Sequence, residues 1–369
     1  MPLRAVCAPN AFKGALGARE AAAAMAAGVV DAGGLAVAVP VADGGDGTLD
    51  VLLDAVPGSR AEAVPVHGPL GETVSARLGW LDAATAVIEM AEAAGLRLLP
   101  PGTLDPMRAS TYGVGELVRT ALDGGARRLV VGVGGSASTD GGAGLCTALG
   151  ARLLDASGEE LPPGGGGLLH LARVDLAGLD PRLRDCRIEV AVDVRNPLLG
   201  PRGAAAVFAP QKGASPEQVA DLERGLARWA ATLGAPASMR QQPGMGAAGG
   251  SAFGLAAVCG ATLVPGAPLV CDLAGLDAAL LGADLVLTGE GRLDASTAEG
   301  KAPAEVARRA AGLGIPCAVL AGSVEPPVDP LYAEAVAISE GLPPEVALPR
   351  TAELLRARAA DVVRRLRRP

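Results

Sequence analysis

Short apolar runs alternate with alanine-rich stretches along most of this chain, and few architectures accept that rhythm. A strand buried on both faces reads as a continuous apolar run, and two such strands lie parallel only when a crossover, usually a helix, joins them. The N-terminal part predicts strands at residues 3–8 and 36–41, with helices at 18–32 and 47–56. The C-terminal part predicts strands at 283–288, 316–321 and 335–338, a helix at 303–312 and a closing helix at 345–368 with a basic end. Between them, runs at 62–66, 73–80 and 86–90 are spaced to pair as antiparallel ribbons. A helix at 112–122, a strand at 128–133 and a helix at 143–149 follow. The stretch 161–266 is rich in Gly and Pro and less regular, with a strand at 188–192 and a helix at 216–233.

The expected fold is therefore α/β with two domains. Residues 1–62 and 280–369 form a discontinuous Rossmann-like domain, and 63–279 form an inserted mixed α/β domain. The active site is expected in the cleft between them. Aromatic residues make up only 2% of the 369, so the core must be Ala, Val and Leu, and 52 glycines imply many close backbone approaches.

A net charge of −8 argues against a nucleic-acid or anionic-membrane surface. The six cysteines are scattered with no CxxC pair, which reads as buried thiols in a reducing compartment. The uncharged stretch 241–271 contains Pro243, Pro265 and Pro268 and is not read as a membrane span. No signal-peptide pattern opens the chain, so a cytoplasmic location is expected.

Five Gly-rich blocks follow apolar runs, where catalytic loops of open α/β sheets sit. In APNAFKG (8–14), Asn10 and Lys13 precede a helix and suit a phosphate. In ADGGDGT (42–48), Asp43 and Asp46 could hold Mg²⁺, bind substrate hydroxyls or simply cap a turn. The block GVGGSASTDGGAG (132–144) offers backbone N–H groups at Gly134, Gly135, Ser136, Gly141 and Gly142 as an anion cradle, with Asp140 inside it. Its GxGxxA spacing matches a dinucleotide fingerprint but lies too late in the chain to open the first βα unit. Asp193 ends an apolar run, as a general base or metal ligand would, with Arg195 close by. TGEGRLD (288–294) carries Gly289, Glu290, Gly291, Arg292 and Asp294, followed by Lys301. It is not a Walker A loop: Ala295 and Ala302 stand where Gly and Ser/Thr are needed.

Only three of the 32 basic residues are lysine: Lys13, Lys212 and Lys301. Each adjoins a glycine. A compact ammonium on a flexible stem is a point-charge partner for phosphate that arginine does not replace. The two histidines, His67 and His170, sit in contexts that read as structural, so any general base is expected to be a carboxylate.

Taken together, the pieces APNAFKG, PVADGGDGTLD, GPLG, IEMAEAAGL, STYGVGEL, GGSASTDGGAG, DVRNPLLG, FAPQKGA, PGMGAAGG, LTGEGRLD and GKAP resemble, in order, the bacterial type 1 glycerate kinase family. Asp46 stands where that family usually has Glu, and Ser138-Thr139 where Thr-Asn is common. The resemblance implies ATP-dependent phosphorylation of D-glycerate, usually at the 2-hydroxyl, with Mg²⁺. It implies a small-molecule substrate; the net charge already argues against a nucleic-acid or membrane partner, and the sequence leaves monomer and homodimer both open. On that reading Asp193, Lys13, Lys301 and Arg292 are catalytic. Asn10, Asp43, Asp46, Arg195, Lys212 and Asp294 bind substrate. Gly134, Gly135, Ser136, Gly141, Gly142, Gly289 and Gly291 bind the nucleotide, and Asp140 or Glu290 faces the metal. Rival readings are a kinase giving 3-phosphoglycerate or using another small hydroxy acid, a non-catalytic binding protein, and a dehydrogenase.

Overall fold

The apolar runs form the expected strands. The computed structural model describes residues 2–294, 297 and 300–366, so Ala295 lies outside the described residues. The strands are β1 (Arg4–Cys7), β2 (Leu35–Ala38), β3 (Arg60–His67), β4 (Thr73–Trp80), β5 (Thr85–Glu89), β6 (Arg128–Gly132), β7 (Arg152–Leu154), β8 (Arg173–Asp175), β9 (Arg187–Val192), β10 (Thr262–Pro265), β11 (Leu285–Leu293), β12 (Cys317–Val324) and β13 (Glu334–Ala337). Two compact units emerge: Met1–Asp43 with Asp50–Pro57 and Pro265–Pro369, and Gly44–Leu49 with Gly58–Val264. The sequence placed the junctions near 62 and 279.

In the first unit β1, β2, β11, β12 and β13 make a wholly parallel sheet in the order β13-β12-β11-β1-β2. Counted within the unit this is 2-1-3-4-5, the flavodoxin-like doubly wound order, whose ligand crevice lies where the winding reverses, between β1 and β11. Alternate strand residues feed two cores. Ala5, Cys7, Leu285 and Leu287 pack with Met25 and Val29 of the helix Ala18–Asp31 and with Leu355 and Val363 of the helix Thr351–Leu366. Val6, Val286 and Val319 face the other way, onto Cys271 and Val306 from the helices Gly266–Leu273 and Ala302–Gly312.

The second unit holds a six-stranded sheet in the order β10-β9-β6-β5-β4-β3. β3, β4 and β5 pair antiparallel, as the closely spaced runs suggested, while β5, β6 and β9 are parallel. The chain's scarce large aromatics anchor this core: Trp229 and Phe253 are fully buried, and the Trp229 indole donates to the Gly141 carbonyl at 3.0 Å.

Three elements differ from expectation. The closing helix is broken into Pro344–Ala347, a 3₁₀ turn Leu348–Arg350 and Thr351–Leu366, because Pro349 lacks the N–H that a continuous helix needs. The stretch 241–271 holds the helix Ala247–Cys259, broken near its start by left-handed backbone at Ala248, Gly249 and Gly250, then β10 and most of the helix Gly266–Leu273. The first of these was illegible because Gly249–Leu255 is buried on every side, leaving no amphipathic stripe to read. Among the described residues no helix is long and apolar enough to cross a membrane. Finally, β11 runs on through Gly289, Glu290, Gly291 and Arg292, where the Gly-rich pattern predicts a loop. Its neighbour β12 extends alongside, pairing Glu290 with Ala321 and Arg292 with Ser323.

Candidate active site

At the switch point of the first unit, the residues after β1 face the far end of β11. Asn10 is buried there; its side-chain N–H donates to Asp43 Oδ2 at 3.1 Å, and its Oδ1 accepts the Ala11 N–H at 2.7 Å. Asp43 is buried as well. Glu290, only 7% exposed, accepts the Thr297 hydroxyl at 2.7 Å, and the Lys301 ammonium lies 3.8 Å from its Oε2 and 4.0 Å from Asp294. Burial pushes the Glu290 carboxyl above its usual range; Thr297 and Lys301 oppose the rise, and Asp43 and Asp294 add to it. A buried carboxylate among other acids, with one cation nearby, is the setting in which a perturbed group marks a functional site. Lys301 is also the N-cap residue of the helix Ala302–Gly312, so the positive helix end opens beside the cluster.

Not every member of this block faces a ligand. Gly289 is a packing glycine: a Cβ there would lie 2.1 Å from the Leu320 carbonyl oxygen. Gly291 lies against the Phe12 and Lys13 backbone. Arg292 is exposed and pairs with Glu325 at 2.7 Å and Asp294 at 3.5 Å. Lys13 is exposed beside Gly14.

The second unit gathers its own set at the carboxyl ends of β5, β6 and β9. Gly44, with φ +92°, rests on the end of β9: a Cβ would meet Ala191 at 2.8 Å. The Gly45 backbone packs on Gly134, and the Asp46 carboxylate lies over Gly135. Asp46 and Gly135 are exposed, and Asp193 and Arg195, just past β9, are exposed too. Asp46, Gly134, Gly135 and Asp193 thus lie at the carboxyl ends of neighbouring parallel strands of one sheet.

Glu89, at the end of β5, was missed from the sequence. Buried to 2%, its carboxylate accepts the N–H of Gly47 at 3.1 Å and of Leu49 at 3.1 Å, bracing the ADGGDGT block from beneath. Burial pushes its carboxyl up against the pull of those two bonds. The signal was an acid closing the apolar run TAVIE, where a purely structural strand has no use for charge. Thr297 was missed too, since nothing around it in the sequence marks its hydroxyl.

Four of the expected site residues, Asp140, Gly141, Gly142 and Lys212, make contacts within the protein's own loops. Asp140 is fully buried and accepts Thr111 N–H at 2.9 Å, Thr111 hydroxyl at 2.8 Å, Gly142 N–H at 3.1 Å and Gly144 N–H at 3.2 Å. Three of these bonds fall on Oδ2 and one on Oδ1, so Asp140 is committed chiefly to shaping its own loop. Gly141 and Gly142, both at positive φ, are closed off by Trp229 and Leu226 and by Ser251 and Gly254. They let the loop pack; of the cradle only Gly135 is exposed, with the Asp46 carboxylate over it, while Gly134 is half-buried against Gly45. Lys212 is 2% exposed; its ammonium donates to the Ser136 hydroxyl at 2.9 Å and to the Ser138 carbonyl. It therefore meets the protein's own loop instead of an open surface. Among the described residues no group of three or more His, Cys, Asp and Glu side chains could hold a metal ion.

The family model for the glycerate kinase family matches residues 5–367. The chain belongs to the glycerate kinase family. It is a kinase, with ATP as its phosphoryl donor. Among its relatives, the glycerate kinase of Bacillus subtilis (strain 168) is 43% identical over 98% of this chain and 97% of its own length. The glycerate 2-kinase of Escherichia coli (strain K12) is 43% identical over 87% of this chain and 86% of its own. A crystal structure of a Salmonella typhimurium LT2 relative superposes with a TM-score of 0.85 at 41% identity, covering 99% of this chain and 98% of the other.

Proposed function

We propose that this kinase transfers the γ-phosphoryl group of ATP to the 2-hydroxyl of D-glycerate, giving 2-phosphoglycerate and ADP. The observation that carries the reading is the polar cluster Asn10, Asp43, Glu290, Thr297 and Lys301 at the switch point between β1 and β11. The name of the Escherichia coli relative favours the 2-hydroxyl.

Phosphoryl transfer asks the protein mainly to position reactants and neutralise charge. Lys301 and Lys13 supply mobile cations for the phosphoryl oxygens, and the backbone at Gly134 and Gly135 contributes N–H donors. Asp193 takes the role of base, orienting the 2-hydroxyl and accepting its proton as the oxygen attacks phosphorus. Asp43, Asn10 and Asp46 hydrogen-bond substrate hydroxyls. Arg195 or Arg292 pairs with the carboxylate, for which a guanidinium is the bidentate partner.

The donor set fits Mg²⁺, which takes oxygen ligands and usually keeps waters and phosphate oxygens beside one or two carboxylates. Glu290 would hold it: its carboxylate is crowded by Asp43 and Asp294, and a cation would relieve that crowding. When bound, Mg²⁺ supplies charge neutralisation on the transferred group.

Proton-coupled phosphorus NMR of the product tests the regiochemistry. Phosphate on C2 couples to one proton and gives a doublet; a triplet from the C3 methylene would reassign the attacked hydroxyl. Asp193→Asn should lower kcat about 100-fold or more, the usual scale for a positioned base, and near-wild-type turnover would remove Asp193 from that role.

A further inference from the structure

Lys212 has no place in the mechanism above, yet it is one of only three lysines in the chain. It ends a 3₁₀ turn, Pro210–Lys212, that Pro210 stiffens at its start and Gly213, at φ +93°, closes. The stem is aimed inward. At its tip the ammonium donates to the Ser136 hydroxyl at 2.9 Å and to the Ser138 carbonyl oxygen. Ser136 is 5% exposed and Ser138 fully buried. The carboxylate acting on it is Asp140, which itself accepts four hydrogen bonds from its own loop and Thr111. Burying an ammonium is costly unless something is gained, and here no substrate-facing surface explains it. What Lys212 grips is the segment directly after Gly134 and the exposed Gly135.

We infer that Lys212 is a positioning residue: an internal strut that fixes Ser136 and Ser138, and through them the Gly134–Gly135 backbone, in the shape that meets the phosphoryl groups. Backbone bonds from the Leu96 N–H to the Gly135 carbonyl at 2.9 Å and from the Ala137 N–H to the Ala94 carbonyl at 2.8 Å hold the main chain of the same segment, and Lys212 adds a side-chain anchor. A guanidinium is planar and larger, and the space between Ser136 and Ser138 is already closed around a point donor.

The inference rests on the reading that this loop faces the transferred phosphate, so the experiment separates the two. Lys212→Met and Lys212→Gln should remain folded by circular dichroism. Each should lower kcat at least tenfold while leaving the KM for D-glycerate within twofold. Adding Ser136→Ala to Lys212→Met should cost no more than the single change, since both remove the same strut. A kcat within twofold of wild type would overturn the inference. So would a tenfold rise in glycerate KM at unchanged kcat, which would make Lys212 a direct ligand of the substrate carboxylate. If neither lysine variant folds, Ser136→Ala alone decides: unchanged kcat overturns the strut. Gly135→Ala reports on the loop itself. An active Gly135→Ala enzyme would sink the loop reading, whereas an impaired Gly135→Ala beside a normal Lys212→Met would sink the strut alone.

Discussion

The carboxylate of Asp46 lies over Gly135: a Cβ built on that glycine, at φ +70°, would come within 2.1 Å of Asp46 Oδ1. Asp46 is exposed, so it can swing aside, but only by leaving the place the bare glycine gives it. Gly135→Ala should therefore lower kcat/KM for D-glycerate at least tenfold, with a stability loss of about 1–2 kcal/mol from the left-handed backbone. Steady-state kinetics and thermal melting check it. Combined with Asp46→Asn, the loss should be less than the product of the two.

Glu89 receives the N–H groups of Gly47 and Leu49 in a buried site. Glu89→Ala strands those donors, at a cost of about 1–3 kcal/mol, and frees the loop that carries Asp46. Glu89→Gln keeps one acceptor oxygen and should be milder on both counts. Melting temperature and kcat measured on the pair give the order wild type, Gln, Ala.

Lys301 sits 3.8 Å from Glu290 and 4.0 Å from Asp294 as a flexible point charge. Lys301→Arg keeps the charge but replaces the compact ammonium with a rigid fork. It should lose at least tenfold in kcat with little change in melting temperature. Full activity would mean that only the positive charge matters.

Burial pulls the Lys212 ammonium down from 10.5 to about 7. Between those values the unfolded chain holds more protons than the folded one, so stability rises with pH across the window and the cost of burial is felt in full below about 7. Lys212→Met has no such proton to lose. From pH 7 to pH 9 the wild type should gain on the order of 2 kcal/mol relative to Lys212→Met, at up to about 1.4 kcal/mol per pH unit. Denaturation at the two pH values measures it, and parallel curves would refute it.

Much of the fold was legible because buried parallel strands and their crossovers leave one-dimensional marks. The apolar runs at 3–8, 128–133 and 316–321 became β1, β6 and β12, and the capping box at Ser215 and Gln218 opens the helix Pro216–Thr232 close to the reading. The helix Ala247–Cys259 was not legible, since a segment buried on all sides has no periodicity.

The candidate site divides in the same way. Residue chemistry and spacing by themselves singled out Asn10, Asp43, Asp46, Asp193, Glu290 and Lys301, because polar groups in Gly-rich blocks after apolar strands have few structural uses. Only the tertiary structure could separate the residues that face outward from those that hold them. Asp140 and Lys212 look as functional in sequence as Glu290 does, yet one accepts bonds from Thr111, Gly142 and Gly144 and the other donates to Ser136 and Ser138. Glu89 looks like the end of a strand, yet it braces Gly47 and Leu49 some 40 residues away. Burial and hydrogen-bond saturation depend on segments distant in sequence, and no local pattern encodes them.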